Sequence, residues 1–533
     1  MSVVRACGPM WKQAAGLVLA CAAVAAVAQT TVQVTGYQVT GNSLIEPGKV
    51  DAVLLPMLGQ RSLQDLQRAA AAVQALYQAE GYGAVVAYVP PQTGHDGIVS
   101  IVVVEGKLSA IAVKGAKRFS DENIKASLPA LQIGATPRLH AIDAQLRIAN
   151  ENPAKQVQVL LKPGQQSGQV EAELEVQELP LQRYTVGLDN TGNDRTGNYR
   201  ASLGWQHASI TGHDDVLGAQ LQVSPTELQQ VAVLSLGYRW PLYAQRMAID
   251  AFFAYSDVDG GTTASTVGDL RFVGRGRVIG ARAGWYLPRW GDFDTRLTLG
   301  LDHRAYLNRC DIAGLPSGAC GPAGESVAVT PLSLEYSLRS GGATPTALSV
   351  SLHHNLHLGG SHTSTASFDA VRLGAKPGYS ALRVGLSSAM PIADTWQLRG
   401  RLNLQWTNDA LVPGEQFGLG GAQSVRGYQE RELTGDRGLA ASVELQGPGL
   451  LSSEVRRGDL RPLLFVDAGL ARNADDAPCV DIRSQCSAAS FGLGARYVWG
   501  DFSARLDLAY ALKSVVRTQR GDTRAHFALQ LGF

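Results

Sequence analysis

The chain is short of charge. Only 17% of its 533 residues are Asp, Glu, Lys or Arg, and 47 basic residues against 46 acidic ones leave a net charge of +1. No field of one sign spreads over the molecule, so composition excludes a general electrostatic attraction to nucleic acid or an acidic substrate. Past the N-terminus no run of about eighteen apolar residues occurs, which excludes a transmembrane helix. The short motifs of chemistry are also missing. Without Gly-x-Ser-x-Gly, a phosphate-binding loop or a zinc-peptidase helix, neither a hydrolase nor a nucleotide motor is supported. Gly492-Leu493-Gly494 and the glycines at 274, 276 and 280 lie in strand patterns with no βαβ unit, so they are no dinucleotide fingerprint. His353, His354 and His357 are neighbours, with 353 and 357 expected on one strand face. No carboxylate or cysteine stands near them in sequence, and they read as pore-lining polar residues rather than metal ligands. The expectation is no catalytic residue, no cofactor and no metal.

Cysteine is scarce as well, six in all. Arg5 and Lys12 flank the start of an apolar stretch, Ala14–Ala25, and Ala26-Val27-Ala28 offers a small-x-small cleavage site before Gln29. Residues 1–28 therefore read as a signal peptide. Cys21 loosely resembles a lipoprotein site, but the apolar run continues past it. Export leaves Cys310 with Cys320 and Cys479 with Cys486. Each pair sits in a polar loop, and an oxidising compartment makes short-range disulfides the expected state. Zinc would want tighter spacing and nearby histidines.

What the chain has is glycine, 59 residues of it, and alternation. From Leu181 to Phe533 the apolar period is two nearly throughout, as in Met247/Ile249/Ala251/Phe253/Tyr255 and Phe502/Ala504/Leu506/Leu508/Tyr510. Trp396–Trp406 shows it best: Trp396, Leu398, Leu402, Leu404 and Trp406 fall on one face, and Gln397, Arg399, Arg401, Asn403 and Gln405 on the other. Aromatics at both ends of an apolar face, with arginines opposite, suit a barrel wall between lipid and a polar lumen. About sixteen such strands are expected over 180–533, closed because an open edge in lipid leaves backbone groups unpaired.

The stretch before the barrel is mixed α/β and repeats itself. In 29–107, a strand at Val32–Val39 precedes a helical face of Leu63, Leu66, Ala70, Val73 and Leu76 ending at Gly81, and then strands at Ala84–Val89 and Ile98–Val104. In 108–179 a strand at Ala110–Val113 is followed by helices around Asp121–Leu128 and 139–148. Strands at Gln156–Leu161 and Gln169–Gln177 close this unit. Two units of about 75 residues in one element order form an internal repeat.

The remaining signal is a loop and a strand. Phe417–Arg431 is too glycine-rich and too charged for a strand, and it carries Val425-Arg426-Gly427-Tyr428. In the next strand but one stands Phe465-Val466-Asp467-Ala468-Gly469. This pair, in this order within a barrel pattern, resembles the Omp85 superfamily. More narrowly it resembles the two-partner (type Vb) secretion transporters, the haemolysin secretion/activation proteins. The repeats resemble POTRA domains. Val104-Glu105-Gly106, Asn150 to Pro153 and the Lys162-Pro163-Gly164 turn also match, and two POTRA units are the usual number in such transporters.

The resemblance implies a transporter in the outer membrane of a Gram-negative bacterium, with periplasmic POTRA domains. Its partner would be a secreted exoprotein carrying an N-terminal secretion domain, docked on those domains as an added strand. It further implies contact with outer-membrane lipid and lipopolysaccharide, help from the barrel-assembly machinery, no nucleic acid, and function as a monomer. The loop would fold back into the lumen, where Arg426 pairs with Asp467 and Tyr428 braces against lumen side chains. A wet lumen would reduce the worth of that pair toward about 1 kcal/mol. Phe533, ending an alternating strand, resembles the C-terminal insertion signal of such barrels. With the first strand running outward, both cysteine pairs would fall in extracellular loops and Pro288–Asp294 in a periplasmic turn. Members of the family often carry an N-terminal plug helix. Here the first strand begins almost at the expected cleavage site, which leaves no room for one. A membrane-protein insertase of the same superfamily and a passive porin are the competing readings.

Overall fold

The computed structural model describes residues 31–533 apart from 93–95, 194–195, 229–230, 266–267, 309–320, 452–457 and 480–482. Residues 1–28, expected to be a signal peptide, and the Cys310/Cys320 pair lie outside the described residues. The chain divides into two compact units, one ending at Glu105 and the other running from Gly106 to Phe533.

The first unit packs helices Pro47–Leu54 and Leu63–Ala79 on a three-stranded sheet. Its order is Gly36–Thr40, Ile98–Glu105, Val85–Tyr88. Helix Leu63–Ala79 starts where Ser62 and Asp65 form a reciprocal capping box. Its buried stripe of Ala70, Val73 and Tyr77 meets Ile101 and Val103 of the sheet. The single strand expected at Val32–Val39 is instead two. Thr31–Val34 pairs with Gly59–Ser62 while Gly36–Thr40 pairs with Ile98–Glu105, because the Thr35 amide turns aside to bond the Gly97 carbonyl.

The second unit opens with the other α/β module. Lys107–Lys114, Gln169–Glu178 and Lys155–Pro163 form its sheet, and helices Asp121–Ala126 and Leu139–Ala149 cover it. The repeat extends to single atoms. Gly41 and Gly115 both take positive φ, and a Cβ on either would lie 2.2 or 2.3 Å from the carbonyl oxygen of Val103 or Val176. Two residues beyond those valines, Glu105 accepts the amides of Ser43 and Leu44, and Glu178 those of Lys117, Arg118 and Phe119. In each module one carboxylate of the last strand ties down the turn after the first.

A closed antiparallel barrel follows. Its sixteen strands, numbered here in chain order, are Gln182–Asp189, Arg200–His207, Val216–Val223, Ala232–Leu242, Met247–Ser265, Gly268–Trp290, Phe293–Leu307, Val327–Val329 continuing as Pro331–Ser340, Thr346–Asn355, Ser380–Pro391, Gln397–Trp406, Arg437–Gln446, Asp459–Arg472, Gln485–Trp499, Phe502–Ala511 and Thr523–Gly532. Side chains alternate between faces. Leu464 and Val466 stand more than half exposed on the outside, while Phe465 and Asp467 between them are buried. Among the described residues no helix is long and apolar enough to span a membrane.

The α/β module is pinned to the lower rim, the rim from which strand 1 rises. The turn between strands 2 and 3 inserts Ala208 into the module's own core, beside Leu108, Phe119 and Ile124. Lys155, 1% exposed, places its Nζ 2.6 Å from Asp214 Oδ2, and Tyr243 donates to the same oxygen. Asn152 donates to the Ala208 carbonyl, and Arg147 to that of Leu287. Glu151 receives both Arg239 and Tyr286.

Candidate functional site inside the barrel

Strand 11 ends at Trp406 and strand 12 begins at Arg437. The thirty residues between them fold inward rather than away from the upper rim. Phe417–Leu419 and Leu433–Gly435 pair as a short hairpin, so part of the glycine-rich stretch expected to be loop is strand. Above this base the chain reverses through Gly420, Gly421 and Gly427, all with φ near +100°. Glu432 fastens the returning arm by accepting the amides of Arg517 and Thr518 between strands 15 and 16.

Arg426 stands at the tip. Its Nε lies 2.7 Å from Asp467 Oδ2 and its Nη2 2.8 Å from Asp467 Oδ1, a two-pronged guanidinium–carboxylate contact. The Arg426 backbone amide bonds the same carboxylate at 3.1 Å. Nη1 adds Glu444 at 2.6 Å and lies 3.5 Å from Asp507, and Nη2 adds Ser442. The guanidinium rests 3.5 Å over the Phe465 ring. Arg426 is 2% exposed and Asp467 fully buried. The expected water-weakened pair is therefore a desolvated one, because the loop itself fills the bore around it.

Strand 13 explains its own motif. Phe465, Asp467 and Gly469 share the inward face, two residues apart. Phe465 supplies the ring beneath the guanidinium and Asp467 the charge. Gly469 supplies room, since a Cβ there would lie 2.5 Å from Leu419 of the loop. Register carries the site onward: Ser442 faces Asp467, and Glu444 faces Phe465, across strands 12 and 13.

The rest of the tetrad is fixed by backbone. Val425 is buried with Phe417, Leu419, Tyr428 and Leu433. The Gly427 amide donates to His526 Nε2 at 3.0 Å, and that ring nitrogen must be unprotonated to accept. Tyr428 is buried among the side chains of that cluster, and its hydroxyl adds main-chain contacts, lying 2.9 Å from the carbonyls of both Ala489 and Lys513.

A second buried cluster went unseen in the sequence. Glu415, 2% exposed, accepts Arg304 at 2.9 Å, Arg383 at 3.1 Å and the Tyr306 hydroxyl at 2.8 Å. Glu444, Asp507 and His526 were missed for the same reason. Each is one inward residue of an alternating strand, and only the strand register brings it to the loop. The available signal was an acid on an inward position of a strand adjacent to the Asp467 strand, as Glu444 is.

The other candidate residues scatter. Cys479 and Cys486 are disulfide-bonded, Cα atoms 6.2 Å apart. Cys486 is the second residue of strand 14 rather than a loop residue, and both sulfurs abut the apolar cluster of the inward loop. Phe533 closes the seam. It exchanges two backbone hydrogen bonds with Tyr184 and stacks on that ring at 5.8 Å. Strand 9 ends at Asn355, so His357 lies beyond it and shares no strand face with His353. His353 bonds Ser351, and His354 bonds Ser380. Among the described residues no metal-ligating group of three or more His, Cys, Asp or Glu forms.

Comparison with known proteins places this architecture. Residues 168–497 match the family model of haemolysin secretion/activation protein ShlB/FhaC/HecB, and residues 32–106 match the POTRA domain, ShlB-type. The outer membrane transporter CdiB of Escherichia coli is 26% identical over 90% of this chain and 79% of its own length. The heme/hemopexin transporter protein HuxB of Haemophilus influenzae is 21% identical over 72% of this chain and 66% of its own. The solved structure of CdiB from Escherichia coli superposes with a TM-score of 0.80 at 21% identity, over 96% of this chain and 92% of that one.

Proposed function

The chain belongs to the haemolysin secretion/activation protein family and is an outer-membrane two-partner secretion transporter, and from that premise we propose how it handles one large exoprotein. The lower rim faces the periplasm, where the POTRA domains of this family lie. The client arrives unfolded and docks on the first POTRA unit. Two features there support docking. Val85–Tyr88 is an edge strand with exposed Val86 and Tyr88, fit to take an extended peptide as an added strand. Nearby, a groove of about 770 Å³ is lined by Val32, Leu63, Leu66, Pro90 and Val99. The client then threads the bore as an extended chain, and its folding outside supplies directionality, since the periplasm offers no nucleotide. We assign Arg426 and Asp467 the role of a latch that holds the inward loop in a secretion-competent position.

The observation that carries this reading is the loop itself. A passive porin keeps its bore open, whereas here a buried ion pair and a tyrosine tied to backbone occupy it. Co-expression with an exoprotein carrying an N-terminal secretion domain, followed by assay of the medium, tests it. Export should depend on this chain and disappear with Arg426→Ala. Accumulation of several unrelated barrel proteins in the membrane, with nothing in the medium, would instead favour an insertase.

A further inference from the structure

Three upper-rim segments meet at one carboxylate, ten residues past Arg426 in the same loop and outside the Val-Arg-Gly-Tyr motif. They are the segments 356–379 after strand 9, 407–436 after strand 11 and 473–479 after strand 13. Asp436, fully buried, accepts from all three. Arg372 grips it with Nη1 and, at 2.8 Å, with Nη2. The Leu411 amide adds a bond of 3.0 Å, the Gln416 side chain one of 3.2 Å, and the Ala474 amide one of 2.9 Å. Arg372 reaches further, to the Leu411 carbonyl and to Asp475. It is the sole cationic partner of Asp436 among the described residues; the other donors are neutral.

Directly before Arg372 lies helix Thr365–Val371, begun by Ser364, whose side chain accepts the Ser367 amide. Phe368 and Val371 of this helix bury themselves against Tyr306, Tyr379, Leu411 and Val412. Tyr306 points into the bore, since its hydroxyl donates to Glu415. The helix therefore packs over the inward side of the strand 7 wall, across the upper opening and not outside it.

We propose that Asp436 is the positioning residue that ties these loops into a closed lid, with Arg372 as the arm that must release before the bore opens outward. The arm is the part that can let go. Leu411, Gln416 and Ala474 hold Asp436 from segments rooted in strands 11 to 13, whereas Arg372 brings the charged contact from the helix-bearing loop, beside the apolar packing of Phe368 and Val371 on Leu411 and Val412. Losing the arm leaves a buried carboxylate with neutral donors only, which weakens the knot and frees the helix. That the outgoing client supplies the release rests on the transport reading above; the lid itself does not.

The test is single-channel recording of the full-length protein in planar lipid bilayers. Arg372→Ala and Asp436→Asn should each raise the open fraction at least several-fold over the parent chain. The double variant should add little to either, because both act through one contact. Unboiled gel mobility reports whether each barrel is closed. Should Arg372→Ala fail to assemble, Phe368→Ser cuts the same lid at the helix and carries the same expectation. A folded Arg372→Ala or Phe368→Ser barrel that opens no more often than the parent overturns the proposal. Export to the medium separates this from the function assigned above. Opened-lid variants should still export, whereas a parent chain that exports no client removes the transport reading and leaves the conductance result standing.

Discussion

Arg426 is held by a carboxylate, a ring and a serine that arrive from two neighbouring strands, and it has little water to fall back on. Removing one member of such a buried pair costs about 3–5 kcal/mol, because the partner charge stays buried and unmatched. Asp467→Asn and Arg426→Lys should therefore both abolish export in the medium assay. The lysine keeps the charge but cannot make the two-pronged contact. Glu444→Gln, which removes one of three acids around the guanidinium, should reduce export without ending it. A charge-swapped pair should not recover it, since Glu444 and Asp507 would then crowd an aspartate at 426. A second residue-scale prediction concerns Glu105. Burial alone would push its carboxyl up. The hydrogen bonds from Ser43, Tyr77 and Leu44 outweigh burial and hold it below its ordinary value. A carboxylate lowered on folding contributes stability above its unfolded pKa, about 4.3, and loses it as pH falls through the folded value. Protection against hydrogen exchange over residues 31–105, taken relative to the intrinsic rate at each pH, should fall in acid for the parent chain. Glu105→Gln should already exchange faster at neutral pH, by about 1–3 kcal/mol of lost protection, and depend less on acid.

At the scale of elements, the junction between the second α/β module and the barrel is a solid joint. The turn carrying Ala208 forms part of the module's core, and the Lys155–Asp214 pair closes it off from water. Burial draws the Lys155 ammonium below its usual pKa, while the charge of Asp214 and the hydrogen bond to it oppose this. Lys155→Met should lower the melting midpoint in detergent more than Lys155→Met with Asp214→Asn. The single change strands a buried carboxylate at a cost of about 3–5 kcal/mol, and the double change leaves no uncompensated charge. Equal midpoints would mean that the pair contributes nothing beyond packing.

For the whole molecule, closure decides what the barrel can do. Strand 16 meets strand 1 over Ala528–Gly532 only, half its length, with Phe533 and Tyr184 finishing the seam. An insertase needs that seam to part, whereas a transporter that threads its client through the bore does not. Leu188 and Leu529 face each other across it on the outer surface. Cross-linking Leu188→Cys to Leu529→Cys should leave export intact. Loss of export on cross-linking, restored by reductant, would show that passage requires an open wall.

Much of this protein was legible in the order of its residues, because period-two alternation and helical stripes are local consequences of backbone geometry. The barrel, the repeated modules and the two motifs all follow from patterns a few residues long. The break at Thr35, the hairpin strand at Phe417–Leu419 and the placement of Cys486 on strand 14 were not legible, since each depends on a partner strand that the local pattern does not name. Glu415, Asp436, Glu444 and Lys155 were silent for a stronger reason. A charged residue on an alternating strand or in a loop looks the same whether it faces water or a guanidinium. The sequence alone determined which faces are apolar, where the chain must close and which loop carries an arginine. Only the tertiary structure decided which charges lose their water, because desolvation depends on what the closed wall brings opposite, across separations of 16 to 111 residues.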